Sequence, residues 1–313
     1  MTQRSTISII IPTCNRLNTL FPLLDSLALQ KESPLYEIDV VTSDDGKRDD
    51  TAQIQQLYPW VRYLRGPQRG PSSNRNNGAR STTGDLLLFL DDDCIASPTL
   101  LSSYVREWNE NPNVSVFEGR ITAIGTRTSH AEECPVNETG GYLWSCNLAI
   151  LRSTFMSLGG FEERFRFPAM EDVDFRERLM ERKTLIKFVP DAQVFHAWEI
   201  RTGWKRIRHY LFSKMFFAQL HPVKGSLKLS YFIKTRVREI LYNGILSWNV
   251  YRFRGVSQLL LGIANDWRLA LFGQFPALGR WYIARAKPCC AGCEAMLTTL
   301  RQAPVPVVAE VRR

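Results

Sequence analysis

The stretch GDLLLFLDDDC, residues 84–94, carries the strongest local signal in the chain. Its five apolar residues at 86–90 predict a buried strand, which ends in the carboxylates Asp91, Asp92 and Asp93. Adjacent acids repel one another, so a bound cation is the natural compensation. In an extended segment Asp91 and Asp93 point the same way and could share one Mg²⁺ or Mn²⁺ with the phosphates of a ligand. An acidic, solvated turn is the alternative interpretation.

Short apolar runs alternate with helical patterns on both sides of this stretch. Continuous apolar runs are typical of strands covered on both faces, and the alternation predicts an α/β fold with a mostly parallel sheet flanked by helices. The predicted strands are residues 7–11, 38–41, 61–64 and 86–90, and the predicted helices are 17–29, 49–57, 74–82 and 98–109.

The segments that follow the predicted strands are the places to look for chemistry. Ligands of parallel sheets bind at the carboxyl ends of the strands. Those ends carry PTCNR from Pro12, SDDG from Ser43 and DDD from Asp91. Polar and charged side chains are therefore expected to gather at one edge of the sheet.

Six motifs, in their order along residues 5–200, resemble the inverting glycosyltransferases of family two, which have the GT-A fold. Each motif is short, but the six together in sequence order are specific. One departure is Lys47, which stands where the family usually has Ser. The motifs are SIIIPTCNR, SDDGKRDDT, RGPSSNRNNGAR, LDDDC, GGF at 159–161 and MEDVDF from Met170.

The resemblance implies a binding site for a nucleotide-diphosphate sugar. It implies that Thr13 and either Asp44 or Asp45 contact the nucleoside and that Arg75 contacts the diphosphate. A carboxylate can accept the ring N–H of uracil or thymine, and Arg offers paired donors to phosphate. A simple turn at Asp45-Gly46 and a surface arginine on a helix are the alternatives. The full set of predicted nucleotide-binding residues is Pro12, Thr13, Asn15, Arg16, Asp44, Asp45, Arg75, Asp91 and Asp92.

The Glu171-Asp172 pair opens a predicted helix, EDVDFRERLMERK. The resemblance implies that Asp172 is the catalytic base, and a helix N-terminus would keep its carboxylate ionised. Glu171 is expected to contact the acceptor or to brace the loop. Acids in the first turn and bases in later turns also stabilise a helix without any catalytic role.

His196 follows a strand-like segment, and the resemblance implies that it completes the metal shell beside Asp91 and Asp93. Neutral imidazole is a suitable third ligand for Mn²⁺ or Mg²⁺. A buried core histidine is the alternative. Trp144 and Asn147 are predicted, with Glu171, to form the wall of the acceptor and donor site, although Trp144 is equally consistent with a core position.

Residues 201–313 contain 19 Lys or Arg against 4 Asp or Glu, a net charge of +15, whereas residues 1–200 have a net charge of −6. Aromatic residues interleaved with Arg and Lys favour either an interfacial module on an anionic membrane or a helical subdomain with a solvated basic face. Nucleic-acid binding lacks a recognisable motif and is not expected. The predicted divisions are a catalytic domain at 1–200, a basic helical module at 201–302 and a loose tail at 303–313.

Neither a membrane span nor an export signal is evident in this sequence. We expect a cytoplasmic protein that can lie on the inner face of the membrane. Cys289, Cys290 and Cys293 are interpreted as free thiols, because a closed zinc site needs four ligands and no second pair or nearby His accompanies them in the sequence.

The expected activity is inverting transfer of a sugar, from a UDP- or dTDP-sugar by preference, to a hydroxyl of a saccharide or lipid-linked saccharide in cell-surface polysaccharide synthesis. Transfer to a polyprenyl phosphate is an alternative within the same enzyme class. A sugar-nucleotide-binding or membrane-binding protein without turnover is the alternative from another class.

Overall fold

A computed structural model describes residues 5–48, 50–200, 203–222 and 256–302. The chain divides into two compact units. The first comprises Met1–Gly125, Cys134–Glu163 and Glu171–Ala197, and the second comprises Thr126–Glu133, Arg164–Met170 and Trp198–Arg313. The predicted tail at 303–313 lies outside the described residues, as do residues 223–255 of the predicted helical module.

Within the described part of the first unit, eight strands form one mixed sheet in the order β3-β2-β1-β4-β8-β6-β9-β5. Strands β1 to β4 are parallel, as are β6 and β9, whereas β8 runs antiparallel to both of its neighbours and β5 runs antiparallel to β9. A two-stranded ribbon, β7 with β10, lies in the second unit. The strands are β1 Ser5–Thr13, β2 Tyr36–Asp44, β3 Val61–Arg65, β4 Leu86–Leu90, β5 Cys94–Ala96, β6 Val116–Ile124, β7 Glu132–Glu133, β8 Asn147–Leu151, β9 Ile186–Ala197 and β10 Glu199–Ile200.

Helices connect the strands of the first unit and make up most of the described second unit. Those of the first unit are α1 Leu17–Ala28, α2 Ile54–Leu57, α3 Pro71–Arg80, α4 Leu100–Glu110, α5 Arg152–Ser157 and α6 Glu171–Glu181. Those described in the second unit are α7 Trp204–Leu220, α8 Val256–Gln274, α9 Pro276–Arg285 and α10 Ala291–Gln302.

The predicted mostly parallel α/β sheet and the four predicted strands are confirmed, and the helices differ in their boundaries. The helix predicted at 49–57 is a 3₁₀ turn at Asp50–Gln53 followed by the short α2. The helix predicted from Asn74 begins at Pro71, because proline at the first helical position has its φ already set and has no N–H to leave unpaired.

The apolar runs of β1 and β4 are continuous because their side chains fill two cores, one on each face of the sheet. Ile9 and Leu88 belong to the core that contains helix α1, whereas Ile10, Leu87 and Phe89 belong to the core that contains helix α6. All five side chains are fully buried. This burial on both faces fixes the carboxyl ends of β1 and β4 side by side.

In the second unit, α7 and α10 lie together. Ser213 of α7 contacts the sulfur of Met296, and the Gln219 amide donates to the carbonyl of Leu300. No helix among the described residues is long and apolar enough to cross a membrane.

Candidate active site

The polar segments after β1, β2 and β4 meet at one edge of the sheet, as predicted. The Thr13 hydroxyl donates to Asp92 Oδ2 at 2.5 Å, which joins the end of β1 to the acidic loop after β4. The side-chain amide of Asn74 donates to the carbonyls of Thr13 and Ser43 at 3.1 and 2.7 Å. Pro12 lies within β1, one residue before Thr13, and pairs with Ser43 of β2.

Asp44 and Asp45 both accept hydrogen bonds from backbone N–H groups. Asp44 is fully buried, and its Oδ1 accepts from Asn15 and Gly46 at 3.2 and 2.7 Å. Asp45 is less buried and accepts from Gln68 and Gly70, at 2.7 Å each. Burial raises the pKa of Asp45, against the lowering effect of those N–H donors. Both aspartates thus shape the loops at this edge, and their contact with a nucleoside remains a prediction.

Arg75 is buried rather than displayed on a helix surface. Its Nη2 donates to Asp91 Oδ1 at 2.7 Å and its Nη1 donates to Glu171 Oε1 at 3.2 Å. The guanidinium also lies 5.8 Å from the centroid of the Phe161 ring. Burial opposes the charge of Arg75, but the neighbouring Asp91 and Glu171 outweigh it and raise the pKa. The arginine therefore links the acidic loop after β4 to the start of α6, a role that the sequence did not suggest.

Arg16 neutralises the other two members of the aspartate triplet. Its two terminal nitrogens lie 3.3 Å from Asp92 Oδ1 and 2.9 Å from Asp93 Oδ2. Asp92 is buried, and burial raises its pKa to about 7, although Arg16 and the Thr13 hydroxyl both act to lower it. Arg16 is 41% exposed in its side chain, so solvent can reach this cation.

Asp93 and His196 lie close enough to share one divalent cation. His196 Nε2 is 3.1 Å from Asp93 Oδ1, and two ligands at right angles on one ion, each about 2.1 Å from it, are about 3 Å apart. His196 Nδ1 lies 2.7 Å from the carbonyl oxygen of Ala197, which accepts its proton and leaves Nε2 for an ion. The donor set of carboxylate and imidazole suits Mn²⁺ or Mg²⁺.

His196 is buried, as expected of the core histidine that was the alternative to a metal ligand. Its ring nevertheless contacts Asp93. Burial lowers the pKa of His196, and the hydrogen bond to Asp93 outweighs that effect and raises it to about 12. Binding of a divalent cation by Asp93 and His196 would release the proton that the two side chains share, and the positive charge of the ion would take its place. Cys94 is the third member of this cluster, within 4.8 Å, and Asp91, paired with Arg75, remains a predicted ligand.

Asp172 lies in the first turn of α6, next to Glu171. Its Oδ1 accepts from the N–H of Val173 at 3.0 Å, and burial raises its pKa above the ordinary range in spite of the lowering effect of Arg75. Burial also raises the pKa of Glu171, to about 8, with Asp172 adding to the rise and Arg75 opposing it. Glu171 is 3% exposed and so braces the loop through Arg75. A carboxylate with a raised pKa is suited to accept a proton near neutral pH.

Trp144 and Asn147 occupy different environments. Trp144 is half-buried and stacks on Tyr142, with ring centroids 5.5 Å apart. Asn147 is fully buried: its Nδ2 donates to the carbonyls of Arg120 and Ala192, and its Oδ1 accepts from the Tyr104 hydroxyl. The structure therefore corrects the expected position of Asn147, because its amide is used inside the sheet to join strands and does not face a ligand.

Glu118 is a buried carboxylate that sequence reasoning missed. It accepts from the N–H groups of Gly141, Tyr142 and Leu143 and from the Asn137 amide. These donors fold the glycine-containing loop that carries Trp144. The sequence did contain a signal for Glu118, because this acidic residue lies inside the apolar strand segment VSVFEGRI. A carboxylate buried in such a strand needs hydrogen-bond donors around it.

The GGF motif positions the aromatic ring beneath Arg75. Gly160 has a φ of +74°, and a Cβ there would lie 2.5 Å from Asn76 Oδ1. The Asn76 side chain accepts from the N–H of Phe161 at 2.9 Å and donates to its carbonyl at 2.8 Å. Glycine is therefore required at 160 for both conformation and space.

The mixed, largely parallel sheet flanked by helices is the GT-A fold, as the resemblance implied. Residues 8–162 match the model of the family described as Glycosyl transferase family 2. Residues 8–162 are therefore a glycosyltransferase family 2 domain, and the resemblance seen in the sequence is confirmed.

Comparison with individual proteins agrees with this assignment. An uncharacterized glycosyltransferase of Haemophilus influenzae is 29% identical over 198 residues, which cover 58% of this chain and 64% of that protein. A hyaluronan synthase of Pasteurella multocida is 32% identical over 242 residues, which cover 62% of this chain and 25% of that protein. A GalNAc(5)-diNAcBac-PP-undecaprenol beta-1,3-glucosyltransferase of Campylobacter jejuni is 30% identical over 110 residues, which cover 33% of this chain and 35% of that protein. The chain spans less than two thirds of the length of these relatives.

Two solved structures share the fold at low sequence identity. S. aureus TarS 1–349 in complex with UDP-GlcNAc has a TM-score of 0.51 at 20% identity, covering 67% of this chain and 66% of that one. GalNAc-T7 with UDP, GalNAc and Mn²⁺ also has a TM-score of 0.51, at 17% identity, covering 71% of this chain and 51% of that one.

Proposed function

We propose that this protein is an inverting glycosyltransferase that moves a sugar from a UDP- or dTDP-sugar to a hydroxyl of a saccharide or lipid-linked saccharide. The observation that carries the proposal is the buried contact of Arg75 with both Asp91, in the acidic loop after β4, and Glu171, the neighbour of the candidate base Asp172. Two residues after Asp91 in the same loop, Asp93 pairs with His196, and these two side chains are the candidate cation ligands.

In the proposed reaction Asp172 accepts the proton of the acceptor hydroxyl. The freed oxygen forms a bond to the anomeric carbon of the donor while the bond between that carbon and the diphosphate oxygen breaks. The electron pair of the broken bond leaves on the nucleoside diphosphate. One displacement from the face opposite the leaving group inverts the anomeric configuration.

The leaving diphosphate carries negative charge that the site must neutralise. A divalent cation, when bound at Asp93 and His196, supplies positive charge to that diphosphate. Arg16, at the exposed edge beside Asp92 and Asp93, is placed to add a further positive charge. Either Asp44 or Asp45 is the proposed partner of the nucleobase of the donor. A UDP donor is favoured because both fold neighbours were solved with UDP or a UDP-sugar.

A lipid-linked acceptor is supported by apolar side chains displayed on α8 and α9. Leu260, Trp267 and Leu271 are 59%, 49% and 45% exposed, and their spacing places them on one face of α8. On α9, Trp281 is 53% exposed and carries the Arg285 guanidinium 4.9 Å from its ring centroid. Exposed Trp and Leu beside Arg suit the interface of an anionic membrane.

Calorimetric titration of UDP, dTDP and GDP, with and without Mn²⁺, tests the donor site. We expect one uridine or thymidine nucleotide to bind in a Mn²⁺-dependent manner and the binding to be lost in Asp93→Ala. Arg80→Ala, an exposed change on α3, is the matched control and should bind normally. Absence of nucleotide binding by the wild type, with metal present, would remove the main support for the transferase.

Sedimentation with vesicles tests the membrane surface separately. We expect binding to vesicles that contain phosphatidylglycerol, weakened by Trp267→Ser with Trp281→Ser and by high salt. No binding of the wild type to either kind of vesicle would argue for a helical subdomain with a solvated basic face, and equal binding to neutral and anionic vesicles would overturn the role given to the basic charge.

A further inference from the structure

A second group of metal-binding side chains lies in the helical unit. His209 on α7 and three cysteines, Cys289, Cys290 and Cys293, place one ligand atom each within 4.8 Å of one another. We call these four side chains the thiol–imidazole cluster. His209, about eighty residues before the cysteines in the chain, is the fourth side chain of this group, which the sequence alone did not reveal. None of the three cysteines is in a disulfide.

The separations within this cluster are near those of a tetrahedral zinc site. Zinc bonds of about 2.3 Å to sulfur and about 2.05 Å to nitrogen place S and N about 3.6 Å apart. His209 Nε2 lies 3.6 Å from Cys290 Sγ and 3.8 Å from Cys289 Sγ. Cys289 Sγ is 2.9 Å from Cys293 Sγ, so zinc would have to part these two sulfurs to about 3.8 Å. Cys289 is exposed and has room to move outward.

The surroundings hold the imidazole in place. The ring of Phe167 stacks on His209, with centroids 3.6 Å apart and planes 4° apart. Gly292, inside the cysteine segment, lies against that ring, since a Cβ at 292 would be 2.9 Å from it. Arg208 donates to the carbonyl of Lys287, just before the first cysteine. These contacts bring the start of α10 onto α7 at the cluster.

Local charge favours the ligand forms of these side chains. Lys205, Arg206 and Arg208 lie within four residues of His209 on α7 and place positive charge beside the cluster. Cys290 stands at the N-terminus of α10, whose backbone N–H groups and dipole stabilise a thiolate. Three thiolates and one imidazole around Zn²⁺ carry one net negative charge, which the adjacent basic residues of α7 offset.

We propose that the thiol–imidazole cluster binds one Zn²⁺ ion and forms a structural centre that fastens the start of α10 to α7. Binding forms three Zn–S bonds and one Zn–N bond, and the three thiol protons pass to solvent. Four protein ligands close the coordination shell, which is characteristic of structural rather than catalytic zinc. The centre is distinct from the proposed divalent-cation site at Asp93 and His196, whose ligands contain no thiolate.

Metal analysis of the untagged, full-length protein, purified with a reductant that does not bind metals, tests this proposal. We expect about one zinc per chain by plasma mass spectrometry, retained in Asp93→Ala and in the exposed-cysteine control Cys14→Ser. Cys293→Ser and His209→Gln should lose that zinc. Cobalt added to chelator-treated wild type should produce a thiolate-to-cobalt charge-transfer band, a readout that needs no variant to fold.

Three results would overturn the proposal. One is wild-type protein that contains no zinc and gives no charge-transfer band with cobalt. Another is zinc that survives Cys293→Ser but is lost from Asp93→Ala, which would assign the ion to the other site. The third is a Cys289–Cys293 disulfide found by non-reducing peptide mass spectrometry in protein purified under reducing conditions.

Discussion

Replacing Arg75 by methionine would leave two carboxylates without their common partner. Methionine keeps an unbranched apolar stem but removes the guanidinium, which lies over the Phe161 ring and from which Asp91 and Glu171 accept hydrogen bonds. The two side chains differ in exposure, 30% for Asp91 and 4% for Glu171. The buried Glu171 should therefore account for most of the lost stability, because water can still solvate Asp91.

The size of the loss should depend on pH because Glu171 titrates. Burial raises its pKa from 4.5 to about 8 in the folded protein. A raised carboxyl pKa means that the neutral form stabilises the fold below the unfolded value, and this contribution is lost as pH rises through about 8. At pH 6 the neutral Glu171 needs no cation, so Arg75→Met should cost about 1–2 kcal/mol, chiefly from Asp91. At pH 9 the wild-type Glu171 is charged and paired with Arg75, whereas loss of Arg75 raises the pKa of Glu171 further, so the variant can keep this carboxyl protonated. Retention of the proton limits the added cost at pH 9 to about 1.4 kcal/mol, which gives a total of about 2–3 kcal/mol.

Urea unfolding of wild type and Arg75→Met at pH 6 and pH 9, followed by circular dichroism, measures both values. Arg80→Met is the matched control on the same helix, since Arg80 is 60% exposed and pairs with Glu163 at 2.7 Å. A surface pair of this kind should change stability by less than about 1 kcal/mol at either pH. Adding Glu171→Gln to Arg75→Met should recover most of the extra loss at pH 9.

Equal losses at the two pH values would refute this reasoning. That result would mean that Glu171 does not change its charge between pH 6 and pH 9, or that its carboxylate finds another donor when the guanidinium is removed. If the loss is larger at pH 9 but Glu171→Gln does not reduce it, Glu171 is not the source of the pH dependence, and the reasoning fails in that case too.

Further predictions concern the base, the metal ligand and a buried amide. Asp172→Asn should lower kcat by about 10²–10⁴-fold without changing the Kd of UDP in calorimetry, and a matching loss of UDP affinity would place the residue in the donor site instead. Because the pKa of Asp172 is raised and the base must be ionised, the acidic limb of the kcat–pH profile should lie above the ordinary aspartate range; a limb within that range would exclude this assignment. His196→Gln should weaken Mn²⁺-dependent nucleotide binding by at least about tenfold, and unchanged titrations would remove it from the metal shell. Asn147→Ala should lower the free energy of unfolding by about 2–3 kcal/mol while leaving KM for the donor unaltered, since its hydrogen bonds lie inside the sheet; a selective rise in KM would return it to the wall of the site.

The positions of the first strands could be predicted from local pattern. The run at 86–90 is apolar at every position and the run at 7–11 at every position except Ser8, which is typical of strands buried on both faces of a mostly parallel sheet. The grouping of Thr13, Asp44 and Asp91 at one edge followed from the same rule, because each comes directly at or after a strand end.

The antiparallel insertion of β8 between β4 and β6 did not follow from pattern, because sequence periodicity carries no information about strand direction or order. The sequence also did not show why glycine is needed at particular positions. GGF could be recognised by resemblance, but only the contact with Asn76 shows why residue 160 must lack a side chain.

What the sequence by itself determined is therefore the family, the sheet and the edge at which chemistry should occur. Only the tertiary structure decided which partner each polar side chain takes: Arg75 binds acids rather than facing solvent, Asn147 lies inside the sheet, and His209 joins three distant cysteines. The physical reason is that a motif constrains backbone within a few residues of itself. A hydrogen bond or metal ligand set, in contrast, depends on distances between side chains that packing brings together from far apart in the chain.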